Sequence, residues 1–257
     1  MEINGPVLLE QREGVALLTL NRPPANSMNL QAFIELEQLL DTLARDPQVR
    51  AVVLTGAGDK GFCAGFDLTD TANSTTVSLK AQAVCNQIEA FPKPVVAAIN
   101  GYALGGGCEL ALACHFRFMV AAPKAVIGLP ETQLGVIPVW GGTQRLPRLI
   151  GRSRGTQMIL LAERIDAEEA AQIGLVDRVC APAELFQQAF AFAVALAKRP
   201  PLATRAVLRA IHIGLNHGMA AGLQAELDEV KGVRGSKDAE EGIRAFFEKR
   251  EPRFSGE

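Results

Sequence analysis

The stretch Ile99–Cys114, INGYALGGGCELALAC, decides how the rest of the chain is read: an apolar strand ends, three glycines follow, and a helix opens with Glu109 in its first turns. Glycine at 105, 106 and 107 removes every β-carbon, so the main chain can approach a ligand closely and turn sharply before the helix begins. The N–H groups at that helix start lack intrahelical acceptors and lie at the positive end of the helix dipole. Such a cluster can hold a phosphate, although the Gly-Lys-Ser/Thr of a nucleotide loop is absent. It can equally hold an oxyanion that forms only during a reaction, or be simply a tight strand-to-helix turn.

Outward toward the N-terminus, Pro92-Lys93-Pro94 separates the strand Val95–Asn100 from a helix over Leu79–Phe91. The polar run TDTANSTTVS, 69–78, reads as a mobile surface loop. Ala51–Thr55 is a short apolar strand of the kind buried on both faces. Gly56–Gly61 then matches G-x-G-x-x-G letter for letter, but a dinucleotide fingerprint must open a helix, and Phe62-Cys63-Ala64-Gly65 has no helical period. Leu30–Ala44 carries apolar residues at 33, 36, 39, 40 and 43, an amphipathic helix. The paired prolines of Asn21–Ser27 demand a loop, and Val7–Glu10 with Val15–Leu20 read as a hairpin.

Outward toward the C-terminus, strands are expected at Phe116–Ala121 and Ala125–Gly128, and helices at Gly141–Leu149 and Ser153–Ala162 with Gly151 as the stop between them. Gly151–Gly155 matches G-x-S-x-G, and Asp166, Asp177, His212 and His217 follow in the order of a hydrolase triad. That elbow needs a strand before the serine, which Leu146–Ile150 is not, so Ser153 reads as a helix N-cap. A short helix over Ala167–Ile173 and a strand over Leu175–Cys180 complete a core of residues 1–180. Residues 181–257 are helical in pattern, at 183–199, 202–215, 219–233 and 238–249.

A chain of 257 residues, 48% of them hydrophobic, can bury one large core. With 26 Lys and Arg against 28 Asp and Glu, it offers no general attraction to nucleic acid or anionic lipid, and neither is expected as a partner. The opening MEINGPVLLEQREG lacks the cationic lead and apolar core of a signal peptide, and no window approaches the ~20 apolar residues of a membrane span, so a cytoplasmic protein is expected. Five cysteines, none spaced as C-x-x-C, indicate neither a disulfide framework nor a metal site.

Taken alone, Glu109 is a carboxylate favoured near a helix N-terminus and Glu131 a solvated helix-start residue. Together with KGFCAGFDL (60–68), LPETQLGVIP (129–138) and WGGTQRLPRLIG (140–151), the glycine triplet resembles the crotonase family, the enoyl-CoA hydratase/isomerase superfamily, along nearly the whole chain. The resemblance implies an α/β fold, a spiral of ββα units with a C-terminal helical region that drives oligomerisation, usually into trimers or dimers of trimers. It implies action on acyl thioesters of coenzyme A, with no separate cofactor.

By motif position the resemblance makes Glu109 and Glu131 the catalytic pair of a hydratase and the N–H groups of Phe66 and Gly106 an oxyanion hole. Glu109 is expected to activate the water that adds at C3 and Glu131 to protonate C2. It points to Pro24, Ala25, Asn26, Ala64, Asp67 and Leu68 for coenzyme A, and to Lys249 for its phosphates on a neighbouring subunit, a residue that alone reads as a solvated lysine. The chain departs from the common pattern at Phe66, at Val139-Trp140 and at His115. Phe66 and Trp140 are expected to narrow the acyl pocket and favour a short, cyclic or functionalised acyl group. Rival readings are an enoyl-CoA isomerase, another acyl-CoA lyase or hydrolase of this kind, and a non-catalytic acyl-CoA-binding or scaffold protein.

Overall fold

The computed structural model describes residues 5–257, so the first four residues of the opening stretch lie outside the described residues. The elements run β1 (Val7–Arg12), β2 (Val15–Leu20), α1 (Leu30–Arg45), β3 (Ala51–Gly56), β4 (Gly61–Cys63), α2 (Ser74–Glu89), β5 (Val95–Ile99), β6 (Tyr102–Leu104) and α3 (Gly106–Ala113). There follow β7 (Phe116–Val120), β8 (Ile127–Gly128), α4 (Gly142–Ile150), α5 (Arg152–Leu160), β9 (Arg164–Ile165), α6 (Ala167–Gln172) and β10 (Arg178–Cys180). Four helices close the chain: α7 (Leu185–Ala197), α8 (Pro201–His217), α9 (Met219–Val233) and α10 (Lys237–Glu248).

Two sheets organise these pieces. The larger has the order β1-β2-β3-β5-β7-β10, antiparallel only between β1 and β2, and the smaller has the order β4-β6-β8-β9, antiparallel only between β8 and β9. Each turn of the chain therefore lays one strand in each sheet and then a helix, as in β3-β4-α2 and β5-β6-α3. This is the expected spiral of ββα units. Strands β3 and β5 are almost wholly buried, which is why they read as unbroken apolar runs rather than alternating ones. Helix α7 lies on the large sheet and buries Leu185, Ala189, Phe190, Ala193 and Ala197.

Helix α1 follows its sequence pattern, burying Phe33, Leu36, Leu40 and Leu43, and Asn29 caps it by accepting from the Ala32 N–H at 3.0 Å. Three local expectations are corrected. Residues 69–78 are not one loop: Leu68–Asn73 form a 3-10 helix and α2 begins at Ser74. Its first two turns are largely exposed, so they needed no apolar period. Ser153 does not cap α5, because Gly151, at φ 85°, ends α4 and starts α5. The strand expected over Leu175–Cys180 is confined to Arg178–Cys180.

Both decoy motifs are settled by their surroundings. Gly56–Gly61 joins two strands without opening a helix, and Ser153 follows a helix rather than a strand. All five cysteines are free and buried. Among the described residues no helix is long and apolar enough to cross a membrane.

Candidate active site

The site forms where the glycine turn between β6 and α3 meets the segment after β4. Gly105 has φ 55° and ψ −125°, a conformation open to glycine and strained for residues with a β-carbon, and it aims the first N–H groups of α3 out of the turn. A β-carbon on Gly65, itself at φ 88°, would stand 2.7 Å from the Gly106 nitrogen, so the two segments abut. Phe66 bridges Met28, yet the bonds of that bridge belong to its neighbours: Met28 N–H donates to Gly65 O and Asp67 N–H donates to Met28 O, at 2.8 and 3.0 Å. The Phe66 N–H is thereby turned from Met28. Neither it nor the Gly106 N–H, in the first position of α3, donates to a backbone carbonyl among the described residues.

Glu109, one turn into α3, is 2% exposed. Its Oε1 accepts from the Trp140 and Gly142 N–H groups, each at 2.7 Å, so the loop before α4 holds the carboxyl in one orientation. Burial pushes its pKa up to about 7, with the neighbouring Glu131 carboxylate adding to the rise and the two N–H donors and Arg145 opposing it. Glu131 starts a 3-10 turn after β8, and its Oε1 would lie 3.0 Å from a β-carbon on Gly105. Its own pKa is raised by burial, and its buried Oε2 has no partner among the described residues. The two carboxyls thus lie within electrostatic reach of each other, beside the glycine turn.

The ring of Trp140 covers the other side of Gly106, where a β-carbon would overlap its six-membered ring. It is 2% exposed and meets Phe33 edge-on, with ring centroids 4.9 Å apart. Phe66 is half-buried against the core.

The remaining expected residues divide by what their side chains do. Asn26, in the left-handed region at φ 52° and 2% exposed, donates to Ala57 O and Gly61 O at 3.0 and 2.9 Å and accepts from the Arg22 N–H at 3.2 Å. Its side chain is therefore fully used in tying the Pro24–Asn26 loop to the β3–β4 connection. Ala64 N–H donates to Ala25 O, which joins that loop to the segment carrying Phe66. Asp67 pairs with Arg22 at 2.8 Å, and hydrogen bonds from Thr69 and then Arg22 hold its carboxyl below the usual range. Leu68 and Lys249 are exposed, Lys249 being the left-handed residue at φ 52° that closes α10. Sequence reasoning missed the loop around Glu109 and its support, Arg145, whose guanidinium donates to Trp140 O. A cavity of about 620 Å³ beyond Arg145, between α2, α4 and α8, is not lined by either glutamate.

Residues 10–257 match the family described as enoyl-CoA hydratase/isomerase. The chain is 39% identical to the crotonyl-CoA hydratase of Syntrophomonas wolfei, over 96% of this chain and 97% of that one. It is 38% identical to the short-chain-enoyl-CoA hydratase of Clostridium acetobutylicum, over 97% of each. The crystal structure of an enoyl-CoA hydratase from Bacillus anthracis superposes with a TM-score of 0.94 at 40% identity, covering 98% of this chain and all of that one.

Proposed function

The chain belongs to the enoyl-CoA hydratase/isomerase family, and from that premise we propose that it adds water across the 2,3 double bond of a short 2-enoyl-CoA. The observation that carries the reading is the pairing of Glu109 and Glu131 at the glycine turn, both with raised pKa and Glu109 at about 7. Addition of water needs one carboxylate to take a proton and one carboxylic acid to give one. Two neighbouring carboxyls whose burial and mutual repulsion disfavour ionising both at once supply that combination.

Glu109, ionised, takes a proton from water while the water oxygen bonds to C3. The π electrons shift through C2 to the thioester oxygen, giving an enolate that the Phe66 and Gly106 N–H groups stabilise; one such donor is worth about 3–4 kcal/mol of barrier. The enolate then takes the Glu131 proton at C2, and proton exchange between the carboxyls and solvent restores the starting state. The sequence balances without a redox or metal cofactor, since coenzyme A enters and leaves as part of the substrate. An isomerase needs only one carboxyl as a proton shuttle, so the second glutamate favours hydration.

Trp140 supports the short acyl group, because its buried ring fills the space beside Gly106, next to the glycine turn at which the thioester is proposed to bind. The loop Pro24–Asn26, Ala64, Asp67 and Leu68 are assigned to coenzyme A, chiefly through main-chain groups. Lys249 is assigned to its phosphates across a subunit boundary in a homotrimer or hexamer. Exposed apolar rows on α8 (Val207, Ile211, Leu215) and α9 (Met219, Leu223, Leu227), each at i, i+4 spacing, support that assembly. A mass-spectrometric screen of enoyl-CoA esters tests the reading: a short ester should gain the mass of one water, and no gain on any ester would overturn it.

A further inference from the structure

Helix α2 presents Gln82, Asn86 and Glu89 on one face; Gln82 touches the loop that holds Glu109, and Asn86 and Glu89 reach that loop through Arg145 of α4. Gln82 Nε2 donates to Val139 O at 3.2 Å. Asn86 Oδ1 and Glu89 Oε2 accept from one nitrogen of Arg145, at 2.6 and 3.0 Å, and the other terminal nitrogen donates to Trp140 O at 2.9 Å. The Arg145 side chain is only 9% exposed, so these bonds form largely out of water. The peptide whose carbonyl Arg145 holds follows directly on the N–H that Trp140 gives to Glu109 Oε1.

Resting on the hydratase reading, we infer that Arg145 is a positioning residue for the reaction: it locks the Trp140 main chain against α2 so that Glu109 is presented in one orientation. Without the clamp the segment keeps the Gln82 bond to Val139 O and the packing of the Trp140 ring, but loses the bond that fixes the Trp140 carbonyl, and a loosely held general base loses rate far more than it loses binding. Arg145 also faces the Glu109 carboxyl as a cation from α4. The other ionisable groups facing Glu109 are Glu131, after β8, and the buried thiols of Cys85 on α2 and Cys108 on α3. Removing the cation and loosening the two N–H donors both disfavour the ionised carboxyl, so both act in the same direction.

Arg145→Met keeps the bulk and removes every donor, and Arg145→Lys keeps the charge. In R145M kcat should fall about 10- to 100-fold with KM within about threefold of wild type. The acid limb of the kcat profile should move to higher pH. R145K should return the limb toward its wild-type position and recover part of kcat. Wild-type kcat and limb in a folded R145M, a loss confined to KM, or an R145K no better than R145M would overturn the inference. If R145M does not fold, Asn86→Ala is read in its place: a fall in kcat of threefold or more with KM intact supports the clamp, and an unchanged kcat overturns it. Titration of the Glu109 carboxyl by NMR in wild type and R145K or R145M needs no turnover, so it reads the clamp even if the wild type hydrates no ester and the functional reading is the one that fails.

Discussion

The six-membered ring of Trp140 lies against the α-carbon of Gly106, leaving no room there for a β-carbon. One residue offers a main-chain donor at the glycine turn and the other a buried ring, so neither can change alone. Gly106→Ala should destabilise by forcing the ring away, and Trp140→Ala by about 3–5 kcal/mol through the cavity it leaves. The double variant should be less destabilised than the sum by about 1–3 kcal/mol. Urea unfolding of the four proteins checks this, and simple additivity would show that the ring and the α-carbon do not press on each other.

In the proposed reaction the same ring limits the length of the acyl group. Wild type should show a higher kcat/KM on a four-carbon enoyl-CoA than on a ten-carbon one, and Trp140→Ala should narrow or reverse that ratio. A wild-type preference for the ten-carbon ester would remove Trp140 from its assigned role.

The raised pKa of Glu109 makes both rate and stability depend on pH. Below about 7 the carboxyl is protonated and cannot take a proton from water, so kcat should fall with falling pH around that value. For stability the sign is opposite. The folded state holds the Glu109 proton up to about 7 and the unfolded chain releases it near 4.5, so this group's contribution is full below 4.5 and is lost as pH rises through about 7. Glu109→Gln carries no charge at either end and should flatten that part of the stability profile. An unfolding free energy with the same slope in wild type and E109Q between those values would contradict the assignment.

The apolar rows of α8 and α9 predict self-association. Sedimentation should give a trimer or a multiple of it, and Ile211→Glu with Leu223→Glu should lower the mass toward that of one chain. A monomeric wild type would leave Lys249 without the neighbouring subunit on which its assignment depends.

Much of this was legible in the sequence because the signals were local. The 3.6-residue period of α1, the unbroken apolar run of β3 and the glycine triplet before Glu109 each announce one element within a few residues. Strands β4, β6 and β9, of two or three residues, are too short to show a period, so of the second sheet only β8, inside the strand read at Ala125–Gly128, was visible. The first turns of α2 read as loop because they face solvent. What could not be read at all was long-range. Glu109 is held by N–H groups 31 and 33 positions away, and the Arg145 side chain reaches Asn86 and Glu89 across 59 and 56. Gln82, Asn86 and Glu89 do share one helix face in the sequence, a signal that points to a polar contact but not to its partner.

In the proposed reaction two carboxyls and two main-chain N–H groups deliver the elements of water to one alkene. The most direct test is turnover of a four-carbon 2-enoyl-CoA in water labelled with heavy oxygen, by wild type, Glu109→Gln and Glu131→Gln. Wild type should give a 3-hydroxyacyl-CoA with the label at C3, and each variant should be slower by about 10²- to 10⁴-fold. An unlabelled product with the double bond moved, or a wild-type rate in either variant, would contradict it.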